Sequence, residues 1–221
     1  MICHKHKCIL VHIQRCGGTS MEEAIVGYNL WDSEEHCREK HLLASQAKAL
    51  YADYWDDYFK FSFVRNPWDR MVSMAKSYPG TWNVKLDKSQ KPAKLLSDDG
   101  FKGYKHRFGY PLTIERDRRF YRKANLTSDR HTEKAVYLNL LDEDLNFIGR
   151  FENLEEDFAY VAKTIGLDSL ELPEVITERK NHKAGGFHYS EYYTQETKEN
   201  VADLYKKDIE HFGYQFSYEK K

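Results

Sequence analysis

A strand-like run, a turn and a helical stretch follow one another twice within the first 80 residues, and this repeat constrains the fold most strongly. The aliphatic run Lys7–Gln14 leads through Gly17-Gly18 into a helical pattern that stops at Gly27. Tyr58–Val64 alternates, with aromatic side chains on one face, and leads through Asn66-Pro67 into a second helical pattern. Strand–turn–helix units in succession are typical of parallel sheets. The sequence therefore predicts an α/β fold with a central parallel β-sheet flanked by helices.

Four further elements are predicted from the same kind of periodicity. Apolar residues recur at helical spacing from His41 onward, which predicts an amphipathic helix with His41 in its first turn. Phe147–Phe151 is typical of a short strand, and a helical stripe follows over residues 154–165. A last helix is predicted from about Thr194 to Phe212. Residues 79–135 are less periodic and poorer in aliphatic residues, and we expect one domain that spans the chain.

Composition and charge exclude several classes of protein. Hydrophobic residues make up 41% of the chain and aromatic residues 14%, which suffices for a core and excludes a disordered chain. A net charge of −1 argues against a nucleic-acid footprint over the whole protein. The longest apolar run, Phe158 to Ala162, is far shorter than the roughly 20 residues of a membrane span. Met1 to Lys7 lacks the apolar region of an export signal, so a cytoplasmic location is expected.

One segment departs from this neutral balance. Between Lys102 and Lys134, ten Lys and Arg stand against four Asp and Glu, a local charge of +6. A surface that binds an anionic molecule and a solvated helical face explain this count equally well.

The cysteines offer a weak metal pattern. All four lie within the first 37 residues, and Cys3 and Cys8 have His4 and His6 nearby. A zinc finger needs a second ligand pair at matching spacing, and none follows. We therefore predict no metal and, without an export signal, reduced thiols.

The turn after the first strand carries the residues of an anion site. A glycine pair at a helix N-terminus exposes backbone N–H groups, where the helix dipole favours negative charge. Thr19 and Ser20 add hydroxyl groups, and Arg15 adds a permanent cation. A plain strand–helix connection is the alternative. No Lys follows the glycines, so the phosphate loop of nucleoside-triphosphate kinases is not matched.

A second cation follows the second strand. Arg65 lies at the carboxyl end of the strand, where α/β folds bind ligands, and Ser73 lies further along the helix. The pair could hold a second phosphate. An Arg–carboxylate ion pair beside an incidental serine explains the same residues.

Taken together, these motifs resemble a known family. HIQRCGGTS (residues 12–20) is similar to the 5′-phosphosulfate loop of sulfotransferases, whose carbohydrate branch usually reads HIPKTGGTS. FKFSFVRNPWDRMVS (59–73) resembles that branch's 3′-phosphate motif, and it is the most specific match. GRFENLEEDF (149–158) and YKKDIEHFGYQF (205–216) resemble its C-terminal elements. Residues 79–146 match nothing recognisable in that branch, so an acceptor-binding insertion that sets acceptor specificity is expected there.

The resemblance implies a P-loop-like sulfotransferase fold and 3′-phosphoadenosine 5′-phosphosulfate (PAPS) as the donor. In it, Arg65 and Ser73 would hold the 3′-phosphate, and His41, in Glu39-Lys40-His41, would be the catalytic base. The residues that would cradle the 5′-phosphosulfate are Arg15, Cys16, Gly17, Gly18, Thr19 and Ser20.

The implied activity is transfer of a sulfuryl group to a hydroxyl of a carbohydrate-like acceptor, without a metal. The family's loop lysine stabilises charge on the bridging oxygen, and Arg15 stands in its place. Arginine supplies the charge but does not readily release a proton. A P-loop-like nucleotide kinase and a catalytically inactive nucleotide- or glycan-binding module remain alternatives.

Overall fold

The computed structural model describes residues 1–28, 40–77, 85–96, 134–167 and 187–218. Its strands are β1 (Ile2–Cys3), β2 (Cys8–Val11), β3 (Phe59–Val64), β4 (Leu86–Asp87), β5 (Lys94–Leu95) and β6 (Phe147–Arg150). Its helices are α1 (Gly18–Val26), α2 (Ala44–Leu50), α3 (Ala52–Trp55), α4 (Pro67–Ser77), α5 (Tyr137–Leu140), α6 (Leu154–Thr164), α7 (Gln195–Leu204) and α8 (Lys206–Phe212). Short 3₁₀ turns cover Phe151–Asn153 and Tyr189–Tyr192.

The central sheet has the strand order β1-β2-β3-β6. β2, β3 and β6 are parallel, which confirms the predicted α/β fold. β1 adds an antiparallel edge, so the sheet is mixed rather than wholly parallel. This edge strand has two residues, too few for a periodic pattern to reveal it.

Strand β2, which the sequence predicted over Lys7–Gln14, is shorter than predicted. It ends at Val11 rather than Gln14, because the following carbonyls bond outside the sheet. The carbonyl of His12 faces the ring of His41, and the carbonyl of Gln14 accepts from Arg70. The strand therefore gives way to the loop three residues early.

The middle strand, β3, is buried on both faces. Phe61 and Phe63 lie on the predicted face, and the ring of Phe63 is 6.5 Å from that of Phe158 in α6. Ser62, on the other face, is also buried and donates its hydroxyl to the carbonyl of Val11 at 2.7 Å. A central strand covered on both sides positions its carboxyl end rigidly.

The second strand–turn–helix unit follows the prediction closely. Asn66 caps α4, since its Oδ1 accepts from the backbone N–H of Trp68 at 3.1 Å and of Asp69 at 3.4 Å. Pro67 occupies the first helical position, where its missing N–H costs nothing.

Two helix predictions were wrong. His41 does not lie in the first turn of a helix: it has φ 63, and α2 begins at Ala44. The last helix is broken at Tyr205 into α7 and α8. In α8, Asp208 accepts from the backbone N–H groups of Val136 and Leu138, a contact that fixes this helix against α5.

The predicted insertion, 79–146, is described only in part. Residues 85–96 contain the antiparallel pair β4–β5, and residues 134–146 contain α5. The rest of it, with most of the basic segment from Lys102 to Lys134, lies outside the described residues, and its acceptor role stays a prediction.

Candidate active site

The loop between β2 and α1 is built from two left-handed residues. Arg15 has φ 65 and Gly17 has φ 89, and the backbone N–H of Cys16 donates to the carbonyl of Ile13 at 3.4 Å. A left-handed conformation costs a non-glycine residue roughly 1–2 kcal/mol, so Arg15 is held there by its contacts. The turn delivers the chain to Gly18, where α1 begins with its N–H groups directed back toward the loop.

The second glycine of the pair makes room for a histidine. A Cβ built on Gly18 would lie 2.3 Å from Cδ2 of His12 and 2.4 Å from its Nε2. No side chain fits there while the His12 ring stays in place. The two glycines therefore have separate causes: backbone conformation at Gly17 and close approach at Gly18.

Two arginines and a serine meet across the carboxyl ends of β2 and β3. Nε of Arg15 donates to Oγ of Ser73 at 3.0 Å. Nη1 of Arg65 donates to the carbonyl of Arg15 at 3.1 Å. The residues predicted to bind two different phosphates are thus directly hydrogen-bonded to one another.

Arg65 is itself firmly held. Its Nε and Nη2 lie 2.7 and 2.6 Å from Oδ2 of Asp69, and its guanidinium lies 4.1 Å from the centre of the Phe151 ring. The Arg–carboxylate pair considered from the sequence is therefore present. These contacts leave an N–H on each Nη for a further acceptor, because a guanidinium carries five donors.

Two adjoining cavities open beside these residues. The first, of ≈ 40 Å³, is lined by the loop, including Gly17, Gly18 and Thr19. The second, of ≈ 110 Å³, continues along α4 past Ser73 to the aromatic residues Phe187 and Tyr189. Arg15 and Arg65 line both. Six of the sequence-predicted site residues thus line one cleft, where two guanidinium groups favour a bound anion, whereas Cys16, Ser20 and His41 line neither cavity.

Two loop residues do not face the cleft. Cys16 and Ser20 are 1% and 2% exposed, and neither lines a cavity described here. Burial raises the pKa of the Cys16 thiol to about 11, against the lowering effect of Arg70. Cys16 is therefore a neutral packing residue rather than a reactive thiolate.

Arg70, which the sequence reasoning did not single out, fixes the loop from below. It is fully buried, its Nε donates to the carbonyl of Gln14 at 2.8 Å, and its Nη1 donates to the Tyr205 hydroxyl at 2.6 Å. Its presence within the 3′-phosphate motif was the only available signal.

The two C-terminal elements, 149–158 and 205–216, contact the turn after β3. Glu152 accepts from the backbone N–H of Asn66 at 2.6 Å and from the Tyr214 hydroxyl at 3.3 Å. The side-chain amide of Asn66 donates to the carbonyl of Gln215 at 3.0 Å. This part of the resemblance therefore corresponds to residues that hold the turn after β3.

His41 lies behind the loop, against His12. Its Nδ1 is 3.0 Å from the carbonyl of His12, which only accepts, so Nδ1 carries the proton. The basic lone pair is then on Nε2. Burial, followed by the proximity of His12, holds the pKa of His41 well below 6.5. The ring is therefore a neutral imidazole near neutral pH, the form that a general base requires.

His12 is buried, with its Nδ1 2.9 Å from Oε1 of Glu22. It also lines the loop cavity, which the strand pattern did not indicate.

The residues that the structure describes bear on the metal, thiol and membrane predictions. Within them, no three His, Cys, Asp or Glu side chains are grouped as metal ligands. Cys3, Cys8 and Cys16 form no disulfide. None of the helices over the same ranges has the length and apolarity to cross a bilayer.

Known proteins that are similar to this chain carry the name of a sulfotransferase. Proteins named "Carbohydrate sulfotransferase 10" are similar over nearly the whole chain. The human protein is 24% identical over an alignment of 262 positions, gaps included, and this alignment covers 97% of this chain and 66% of that protein. The Xenopus laevis protein is 22% identical over 244 residues, covering 95% and 65%.

The chain thus spans just under two thirds of the length of these curated relatives. No solved structure matches it. The model of the Sulfotransferase family matches residues 1–215 of the 221. The chain belongs to the Sulfotransferase family.

Proposed function

We propose that this protein transfers a sulfuryl group from PAPS to a hydroxyl of a carbohydrate acceptor. The observation that carries the proposal is the pair of adjoining cavities that share Arg15 and Arg65. PAPS has a phosphosulfate at one end of its ribose and a phosphate at the other, so its two anionic groups match two linked cationic cavities. Family membership implies the same donor.

Arg15 and the N-terminus of α1 act on the phosphosulfate. When bound, PAPS supplies the sulfuryl group and leaves a phosphate on which negative charge gathers. A fixed guanidinium and oriented backbone N–H groups stabilise such charge without reorganising. Arg15 is preorganised by Ser73 and by its carbonyl contact with Arg65, and it contributes charge rather than a proton.

Arg65 and Ser73 hold the 3′-phosphate. The ion pair with Asp69 fixes the guanidinium of Arg65 while leaving donors on its Nη atoms. Ser73 lies in the second cavity, where Lys76 adds another cation one turn further along α4. Tyr189 also lines this cavity and provides an aromatic contact for the nucleoside.

His41 accepts the proton of the acceptor hydroxyl. Its neutral ring presents Nε2 as the base, while the His12 carbonyl holds Nδ1–H and so orients the ring. As the hydroxyl oxygen bonds to sulfur, the bond from sulfur to the bridging oxygen breaks, the nucleotide leaves with that oxygen, and the hydroxyl proton passes to Nε2.

The carbohydrate acceptor is supported by the name of the relatives, at 22–24% identity. A nucleotide kinase is disfavoured because the loop has no lysine and the family is that of sulfotransferases. An inactive binding module would need no neutral histidine beside the loop. The absence of a metal and the cytoplasmic location stay predictions.

The test is sulfate transfer from ³⁵S-labelled PAPS to a panel of neutral and acidic oligosaccharides, phenols and simple alcohols. Transfer to sugars alone supports the proposal, whereas transfer only to phenols or alcohols contradicts the carbohydrate acceptor. Parallel reactions with ATP and Mg²⁺ would reveal a kinase. Tight binding of 3′-phosphoadenosine 5′-phosphate (PAP) without any transfer would indicate an inactive module.

A further inference from the structure

A buried ionic network lies beneath the glycine turn. Oε1 of Glu22 is 2.9 Å from Nδ1 of His12, and Oε2 of Glu22 is 3.2 Å from Nζ of Lys40. The three side chains come from the end of β2, from α1 and from the segment before α2, and all are at most 5% exposed. Removing a carboxylate and an ammonium from water is costly, and such pairs are often no more stable than apolar residues. Their presence here calls for a functional reason.

The network fixes the state of its carboxylate. Burial raises the pKa of Glu22, but His12 and Lys40 more than compensate and lower it to about 2. A carboxylate only accepts hydrogen bonds, so Nδ1 of His12 carries a proton that it donates to Glu22. The Nε2 edge of His12 is then turned toward Gly18 and the loop cavity.

His12 contacts His41 in two ways. The rings are 4.5 Å apart between centroids at an interplanar angle of 72°, and the His12 carbonyl accepts from Nδ1 of His41 at 3.0 Å. One residue therefore touches both the first turn of α1 and the ring of the proposed base. Its own ring is held by a hydrogen bond to the Glu22 carboxylate rather than by packing alone.

We propose that His12 is a positioning residue, held by the Glu22–Lys40 pair, that aligns His41 with the phosphosulfate loop. This inference rests on the proposed function, in which His41 is the base. Rotation of the His12 ring would release the edge contact with His41 and vacate the space over Gly18. The buried pair prevents that rotation, because leaving Glu22 would strand its charge away from water.

The network also sets the electrostatic field at His41. The titratable groups that act on it are His12, Glu22 and Lys40. The Glu22 anion favours the protonated ring, and the other two disfavour it. Removing the anion should therefore move the acidic limb of kcat to lower pH, and removing the Lys40 cation should move it to higher pH. A role confined to packing would produce no such pair of opposite shifts.

The test compares His12→Asn, Glu22→Gln and Lys40→Met in the full chain, with PAPS and the best acceptor of the panel. Asparagine retains a donor near the Nδ1 position but has no ring edge. We expect kcat to fall at least tenfold in His12→Asn and Glu22→Gln, with KM for PAPS and Kd for PAP within about threefold. Glu23→Gln, the same change one residue along α1, is the matched control and should leave kcat within twofold.

If a single variant unfolds, the double variant Glu22→Gln/Lys40→Met replaces it. This variant removes both charges together and leaves no unpaired buried ion. In this variant too we expect kcat to fall at least tenfold. If the variants keep the kcat of the wild type and the acidic limbs of their pH profiles do not move, the inference is overturned. The proposed function still stands in that case, provided that the wild type transfers sulfate. If the wild type transfers no sulfate, the proposed function fails, and histidine NMR titrations still decide whether the network sets the state of the His41 ring. Opposite shifts of His41 in Glu22→Gln and Lys40→Met would support it, and unmoved titrations would overturn it.

Discussion

Arg15 and Ser73 are joined by a hydrogen bond of 3.0 Å from Nε to Oγ, although 58 positions separate them in the chain. The bond connects the loop after β2 to the helix after β3. Because these strands are parallel neighbours, their carboxyl ends meet at one edge of the sheet, where α/β folds place their ligands. The two halves of the nucleotide cleft are therefore coupled through side chains, and a change in either one should affect the other.

The first prediction concerns the charge of Arg15. Arg15→Lys should retain measurable activity, and Arg15→Ala should lower kcat about 10²–10³-fold, the usual effect of losing a preorganised donor to developing charge. Steady-state kinetics with saturating PAPS measures both. Full activity in the alanine variant would remove Arg15 from the mechanism.

The second prediction concerns the 3′-phosphate. PAP at 100 times its Kd should stabilise the fold by about 2.7 kcal/mol, visible as a higher Tm, and the same concentration of AMP should do much less. Ser73→Ala should reduce the difference between the Tm increase caused by PAP and that caused by AMP, because Ser73 lines the second cavity. Ser77→Ala, the matched change one helical turn away on the same cavity, should leave most of it in place. Equal shifts with PAP and AMP in the wild type would contradict a 3′-phosphate site.

The sequence predicted the two strand–turn–helix units because their signals are local. The alternation through Phe61 and Phe63 and the Asn66-Pro67 cap depend on neighbours in the chain. They were sufficient to place Arg15, Arg65 and the loop at one edge of the sheet.

The features that the sequence did not predict depend on distant contacts. The left-handed backbone of His41 accompanies a bond to the carbonyl of His12, 29 positions away. The break at Tyr205 leaves its hydroxyl to accept from Arg70, 135 positions away. Helical periodicity carries no information about either partner, so the pattern began one helix too early and missed the break in the other.

The third prediction tests the packing of the loop. Gly18→Ala should destabilise the fold, since the new methyl group meets the His12 ring at 2.3 Å and overpacking typically costs about 1–3 kcal/mol. His12→Ala removes that obstacle, so Gly18→Ala should cost much less in that background. Urea unfolding of the wild type, both single variants and the double variant measures the coupling. Additive free energies would show that the ring does not explain the glycine.

The fourth prediction concerns stability in acid. The pKa of Glu22 is lowered from 4.5 to about 2 in the folded protein. Its contribution to stability is therefore fully present above pH 4.5 and is lost as the pH falls toward 2. The difference in unfolding free energy between the wild type and Glu22→Gln should shrink across this window, and the difference from Glu23→Gln should stay nearly constant. A difference from Glu22→Gln that does not depend on pH would contradict the buried ion pair.

The last prediction is that His41 is the general base. His41→Ala should lower kcat by about 10²–10⁴, the range expected for the loss of acid–base catalysis, while Kd for PAP stays near the wild-type value. Because the pKa of His41 is held well below 6.5, kcat in the wild type should not fall between pH 8 and 6.5, and its acidic limb should lie lower. Added imidazole should restore part of the activity of the alanine variant and none in Arg15→Ala. A decrease of less than tenfold with the fold intact would mean that another residue accepts the proton.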